Sequence, residues 1–209
     1  QGLINLMGGR ENFTEKMDSI FTSKPTSDYS YYGFKIHEIL EMELAGMGQY
    51  AHGNQPIQHA IYLYNYAQQP WKTQEKVRYV MDNLYGEGAD GYCGDEDNGQ
   101  TSAWFVFSSL GFYPVAPVTG QYILGSPLFK EVEIDLNNGK TLRINAKNNS
   151  ENNIFIDSFK FNQLESNKNW IDHKDLRNGG VVDFEMSNAP NLDWGSAINS
   201  VPFSMTKIK

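Results

Sequence analysis

The chain has 209 residues, 40% hydrophobic and 20% charged, with a formal net charge of −8. That is a globular composition with material for one large domain or two small ones, and it excludes intrinsic disorder. The acidic balance, with no basic stripe, argues against nucleic acid as a partner, and no apolar run is long enough for a membrane span.

The opening Gln1-Gly2-Leu3-Ile4-Asn5-Leu6-Met7 has no basic n-region and reads as an interior segment of a longer chain. Phe13, Met17, Ile20 and Phe21 recur at helical spacing, as do Ile36, Ile39, Leu40, Leu44 and Met47. Asn54, with Pro56 in the first turn, predicts a helix running through Ile61, Leu63 and Tyr64. Thr73 is placed to cap another that carries Val77, Val80 and Leu84. A fifth starts near Thr101 and ends at Gly111. Short links rich in Gly and Pro make these successive helical hairpins, as in a bundle or a toroid.

Pro114 and Pro117 mark a break. Beyond it Val132, Ile134 and Leu136 alternate with charged residues, Asn138-Gly139 signals a hairpin turn, and Leu142, Ile144 and Ala146 alternate on the return. Residues 153–161 and 181–186 also read as strands. The expectation is an α+β chain, with helices over 1–118 and a small antiparallel β unit over 119–209. Trp170, His173 and Trp194 in that unit are read as packing rather than as a second sugar site.

Three stretches carry candidate chemistry. The first is "GDEDNGQ", residues 94–100, leading into an apolar helix. As a calcium loop of the EF-hand type it fails: setting Gly99 as the sixth position puts Gly94 first and Phe105 twelfth, and neither is a side-chain oxygen donor. Two readings stay open. The acids sit favourably at a helix start, where its dipole and free N–H groups welcome negative charge. Alternatively they hold a general base. On a local extended strand Asp95 and Asp97 share one face with Glu96 turned away, so that one aspartate polarises water and the other tunes it.

The second stretch, residues 50–67, holds His52 and His59 with Asn54, Gln55 and Gln58 between them, and lacks the H-E-x-x-H of a zinc peptidase. It is either a polar helix start with satisfied histidines or a polar floor for a polyhydroxylated ligand, since amide and imidazole groups both donate and accept. The third, "KIHEILEME" over 35–43, puts Glu41 one helical turn beyond His37, beside Glu38. It reads as a charged outer face, or as an inward-reaching set whose carboxylate oxygens suit Ca²⁺. Cys93, the sole cysteine, has no partner for a disulfide within the chain, and its acidic neighbours disfavour a thiolate nucleophile.

Taken together, several stretches resemble glycoside hydrolase family 92, the calcium-dependent exo-α-mannosidases. They are GLINLMGG (2–9), MGQYAHGNQP (47–56), YLYNYA (62–67), PWKTQ (70–74), DGYCGDEDNGQTSAW (90–104) and GFYPV (111–115). A collinear set of this length is specific where any single piece is weak. It covers roughly the first 130 residues strongly and the β tail more loosely. The resemblance implies an (α/α)₆ toroid preceded by a β-sandwich domain, with this chain holding the last toroid helices and the terminal β segment. It implies an inverting hydrolase of terminal mannose on glycans, with Asp97 as general base and Asp95 as its partner. His37 and Glu38 resemble the pair that receives the leaving sugar in α-1,2-specific members, and His52 is expected at the substrate. Ca²⁺ is expected on Glu41, Asn54 and Gln55. The family's general acid is a glutamate just before the stretch resembling 2–9, outside these residues, so the 209 residues alone are expected to be inactive. Family members are exported, to the periplasm or the cell surface. The rival readings are a non-catalytic carbohydrate-binding or interaction module and a helical-toroid glycosidase of another specificity.

Overall fold

The computed structural model describes residues 1–26 and 28–207, and in it five α-helices precede the first strand. They are α1 (Gly2–Leu6), α2 (Arg10–Thr22), α3 (His37–Ala45), α4 (Pro70–Asn83) and α5 (Gln100–Ser109). The helical spacing of Phe13 and Met17 places both in the core, with Ile20 and Phe21 packed against it. α5 buries Trp104 completely and ends at Gly111, whose φ of 94° is left-handed.

Two helical expectations are corrected. Residues 55–65 wind not as an α-helix but as two 3₁₀ turns, Gln55–Ile57 and Ala60–Asn65, and the Asn54 side chain makes no cap bond. Ile61, Tyr62, Tyr64 and Asn65 are buried together here, so packing from all sides sets the winding rather than helix propensity. α4 starts at Pro70, which needs no N–H at a first helical position, and not at Thr73. The Thr73 hydroxyl instead donates to the Ile61 carbonyl at 2.7 Å. α3 forms where the helical spacing predicts it, but no residue in it is fully buried: Ile39 and the N-cap Ile36 are half-buried and Leu44 is 86% exposed, while Met47 beyond the helix enters the core.

The strands are β1 (Phe112–Tyr113), β2 (Gln121–Leu124), β3 (Glu131–Asp135), β4 (Thr141–Lys147), β5 (Phe155–Phe161), β6 (Leu164–Glu165), β7 (Trp170–Asp172) and β8 (Gly180–Ser187). The short helix α6 (His173–Leu176) precedes β8. They form a three-stranded sheet in the order β1-β2-β7 and a five-stranded sheet in the order β3-β4-β8-β5-β6. The larger sheet is mixed, not purely antiparallel, because β8 returns from β7 and α6 to lie parallel to β4. β1 pairs with β2 across residue 118, so strand pairing reaches back past the expected boundary.

The β3–β4 hairpin forms as read, with Asp135 opposite Thr141 and Gly139 at φ 75° in its turn. Leu142, Ile144 and Ala146 are all buried on one face of β4, against Val182, Phe184 and Met186 of β8. Trp194 is buried in the same core and Trp170 packs on the helical one, as the packing reading expects.

Buried polar ties hold sheet to helices. Arg78 of α4 donates to the Pro127 carbonyl and to Asn149 Oδ1, both at 2.8 Å. The Gln74 amide oxygen accepts from the Ile156 N–H at 3.0 Å. Asn65 and Asn169 donate to each other's carbonyls at 3.1 and 3.0 Å. Each tie spends a group that would be costly to bury unpaired, so the sheet has one seat on the helices.

Candidate active site

Two loops meet where neither has a side chain. A Cβ on Gly94 would stand 2.6 Å from the Gly53 Cα, and one on Gly53 would stand 2.6 Å from the Cys93 carbonyl oxygen. Glycine is required at both by close approach of backbone. Glu41 from α3 is wedged over the contact, with Oε2 within 2.9 Å of both those Cβ positions. That Oε2 is buried and accepts no hydrogen bond.

α3 brings the other candidate residues to the same place. His37 Nδ1 lies 3.1 Å from Glu41 Oε1, and its Nε2 lies 3.5 Å from Glu38 Oε1 and 3.9 Å from Asp95 Oδ2. The hydrogen bond to Glu41 raises the imidazole pKa, the charges of Glu38, Glu41 and Asp95 add to the rise, and partial desolvation opposes it. The structure thus gathers His37, Glu38, Glu41 and Asp95, residues read from two separate stretches of sequence.

The acidic segment is a turn, not the extended strand on which Asp95 and Asp97 would share a face. Asp97, Asn98 and Gly99 have φ of 47°, 57° and 90°, a run of left-handed residues, so Asp95 and Asp97 share no strand face. Glu96 explains the turn. Its carboxylate accepts from the Gly99 N–H at 2.5 Å, the Ser102 N–H at 3.1 Å and the Ser102 hydroxyl. Those bonds, that of the Ser102 side chain foremost, hold its pKa below the usual carboxylate value. Of the three acids, Glu96 takes the helix-start role, and Asp95 and Asp97 stand exposed.

The turn is braced from behind. Gln55 Nε2 donates to the Asp95 carbonyl at 2.8 Å and to Thr101 Oγ1 at 3.2 Å. Thr101 Oγ1 in turn donates to the same Asp95 carbonyl at 2.8 Å. The amide nitrogen of Gln55, a residue expected to ligate metal, is therefore a strut for Asp95. Asn54 is exposed beside it.

His52 corrects an expectation. It is fully buried, with Nδ1 2.8 Å from the Tyr50 hydroxyl and Nε2 2.9 Å from the Tyr85 hydroxyl. Its ring stands edge-on to Trp104, centroids 4.3 Å apart. Burial lowers its pKa to about 3, so it is neutral, and with both nitrogens engaged neither is free for substrate. His52 props up the aromatic wall behind the site; His59, the other histidine of its stretch, is exposed.

A cleft of about 570 Å³ opens between α3 and the 84–95 loop, lined by Glu41, Leu44, Tyr85, Tyr92 and Asp95 among others. Tyr85 and Tyr92 separate it from a second hollow of about 470 Å³ that reaches Phe105. Aromatic edges beside carboxylates are the surface a sugar needs, with rings for its apolar face and acids for its hydroxyls. Cys93 also lines the cleft, and burial pushes its thiol up to about 11, against a nucleophilic role. Among the described residues, no three His, Cys, Asp or Glu side chains converge to hold a metal ion. A hard cation here would need amide or carbonyl oxygens besides Glu41 Oε2.

The family model for the glycosyl hydrolase family 92 catalytic domain matches residues 1–188. The chain belongs to glycosyl hydrolase family 92. Among solved family 92 structures, the inverting mannosidase BT2199 from Bacteroides thetaiotaomicron VPI-5482 is 50% identical, with a TM-score of 0.82 over 97% of this chain and 28% of that one. The family 92 α-mannosidase BT3965 from Bacteroides thetaiotaomicron is 34% identical, with a TM-score of 0.83 over 95% of this chain and 24% of that one. A protein described as an uncharacterized secreted glycosidase of Arthroderma benhamiae is 27% identical over 97% of this chain and 23% of its own length. The family 92 chain spans about a quarter of the length of these relatives.

Sequence reasoning missed the brace. Thr101 was read only as a helix start, Gln58 only as part of a polar floor, and Tyr85 was not singled out, yet Thr101 Oγ1 accepts from Gln58 at 3.3 Å and its carbonyl accepts from Tyr85 at 3.1 Å. The only signal was indirect, a glycine in each of two polar loops, and no local pattern says that two glycines touch.

Proposed function

We propose that these residues form the base side of the active site of an inverting, calcium-dependent exo-α-mannosidase that removes α-1,2-linked terminal mannose from glycans. The observation that carries the reading is the convergence of His37, Glu38, Glu41 and Asp95, two residues before Asp97 in sequence, on a chain of family 92. The solved relatives named as α-mannosidases, one of them as inverting, support the reaction class.

In this reading Asp97 accepts a proton from the water that attacks the anomeric carbon, and Asp95 orients that water or its partner carboxylate. Inversion needs a second carboxyl group on the opposite face, roughly 6.5–9.5 Å away, leaving room for the water. No residue of this site is assigned that part. The family resemblance gives it to a glutamate outside the 209 residues, on a protein that also carries a β-sandwich domain and completes an (α/α)₆ toroid. His37 and Glu38, side by side at the start of α3, bind the hydroxyls of the leaving sugar as donor and acceptor.

Glu41, Asn54 and Gln55 fit a hard cation to this extent: Glu41 Oε2 is a buried oxygen with no partner, and the amide oxygens of the other two belong to the turn beside Gly53. Bound there, Ca²⁺ would supply hydroxyl binding and ring distortion. Glu41 holds the charge that such an ion would meet, and the Gln55 amide nitrogen keeps Asp95 in place. Export to the periplasm or cell surface is the matching location; the fungal relative is described as secreted. Among the described residues no helix is long and apolar enough to cross a membrane.

The test is hydrolysis by the full-length protein of α-1,2-mannobiose against α-1,3- and α-1,6-mannobiose, with and without a calcium chelator, reading the anomer first released by NMR. Release of β-mannose, fastest from the α-1,2 substrate and lost with chelator, is expected. Binding without hydrolysis would instead favour a carbohydrate-binding module. The 209 residues expressed alone are expected to show no turnover.

A further inference from the structure

The turn that carries Asp97 is conformationally expensive. Asp97 and Asn98 both bear a Cβ and both sit at positive φ, followed by Gly99 at 90°. Asp and Asn visit the left-handed region as single residues; two in succession need something to hold them. Gly99, which opens α5, has no side chain and makes no side-chain cap bond. The N–H groups of the first helical turn therefore look elsewhere for an acceptor.

Glu96 is that acceptor. Its Oε2 takes the Gly99 N–H at 2.5 Å and its Oε1 takes the Ser102 N–H at 3.1 Å, together with the Ser102 hydroxyl. Its own carbonyl takes the Thr101 N–H at 3.2 Å. Glu96 thus spans the turn from the residue before Asp97 to the first turn of α5, and Asp97 lies inside the loop so closed. We infer that Glu96 is the positioning residue for Asp97: its carboxylate clasps Gly99 and Ser102, and so fixes the left-handed backbone from which the Asp97 carboxylate projects. This rests on the reading of Asp97 as general base. Glu96 touches no reacting atom in this account; it acts only through the backbone of its neighbour.

Small displacements of a base cost rate, not binding, because alignment with the attacked carbon is felt in the transition state. In the full-length protein, Glu96→Ala is expected to lower kcat on an aryl α-mannoside by about 100-fold with KM within about twofold. Glu96→Gln keeps an acceptor oxygen and is expected to recover at least tenfold of that loss. Hydrogen exchange at the Gly99 and Ser102 amides, read on the same variants, should speed up by at least tenfold in Glu96→Ala while the Trp104 amide stays protected. Asp97→Ala is run beside them. If it keeps wild-type turnover, the base assignment fails, and the exchange result alone then decides whether Glu96 holds the turn. If Asp97→Ala is inactive while Glu96→Ala keeps wild-type kcat, or if the Gly99 and Ser102 amides stay as protected as in the wild type, the positioning role is overturned. A Glu96→Ala protein that only loses folded fraction, its folded remainder turning over at the wild-type rate, overturns it as well.

Discussion

Gly53 and Gly94 touch backbone to backbone, close enough that a methyl group on Gly94 would fall 2.6 Å from the Gly53 Cα. The contact seats the acidic turn against the loop that carries Asn54 and Gln55. Gly94→Ala must push the loops apart or distort both, and overpacking of this kind costs about 1–3 kcal/mol. Gly120→Ala is the comparison, since its φ of 67° is strained but the space around it is open. Thermal melts of the full-length protein should rank Gly94→Ala below Gly120→Ala. Only the first should also reduce turnover, because only Gly94 adjoins Asp95.

Buried His52 gives the protein an acid sensitivity with a definite sign. Its folded pKa, about 3, lies below the ordinary value of about 6.5 for an unfolded histidine. Below pH 6.5 the unfolded chain takes up a proton that the folded chain refuses. Stability from this group is therefore intact above pH 6.5 and falls as pH drops towards 3, by up to about 1.4 kcal/mol per pH unit. Urea titrations at pH 7 and pH 5 should show the loss. His52→Gln should shrink the difference between the two pH values, at the cost of lower stability at pH 7, because the Tyr50 and Tyr85 hydroxyls lose a shared partner.

The Cys93 thiol, pushed up to about 11 by burial, should be unreactive. At pH 8 an ordinary thiol of pKa about 8.5 is roughly one-quarter thiolate, while this one is about one part in a thousand. Iodoacetamide should modify Cys93 at least 100-fold more slowly in the folded protein than in urea. Equal rates would place the thiol in solvent.

Glu41 offers a test of calcium with a built-in contrast. Its Oε2 is buried and accepts no hydrogen bond, which is unfavourable unless a cation answers it. With chelator present, Glu41→Gln should change Tm little, since relief of the unpartnered buried Oε2 is offset by loss of the charge that Oε1 presents to His37. With calcium in excess the wild type should gain stability by mass action, and Glu41→Gln should gain little. A wild-type Tm indifferent to calcium would detach the ion from Glu41.

Much of this was legible in the sequence. The β4 face of Leu142, Ile144 and Ala146 followed from alternation, and the core positions of α2 followed from the spacing of Phe13 and Met17. His37 and Glu41 were legible as one helical face because a four-residue spacing on a helix fixes adjacency. What failed depended on contacts between distant segments. The winding of 55–65 was set by burial on all sides, and the start of α4 by a proline and by a threonine whose hydroxyl serves a neighbouring segment. His52 read as a substrate contact because its polar neighbours in sequence are not its neighbours in space, which are Tyr85 and Trp104. The strand reading of Asp95 and Asp97 failed because Glu96, the acid set aside, reaches forward to Ser102 and curls the turn.

The proposed role of Asp97 as general base stands or falls on one substitution. Asp97→Ala in the full-length protein should fold with an unchanged circular dichroism spectrum and bind a mannose-configured inhibitor. It should cleave α-1,2-mannobiose about 10²–10⁴-fold more slowly than the wild type. Turnover within about twofold of the wild type would contradict the account, because a general base supplies at least about 10²-fold.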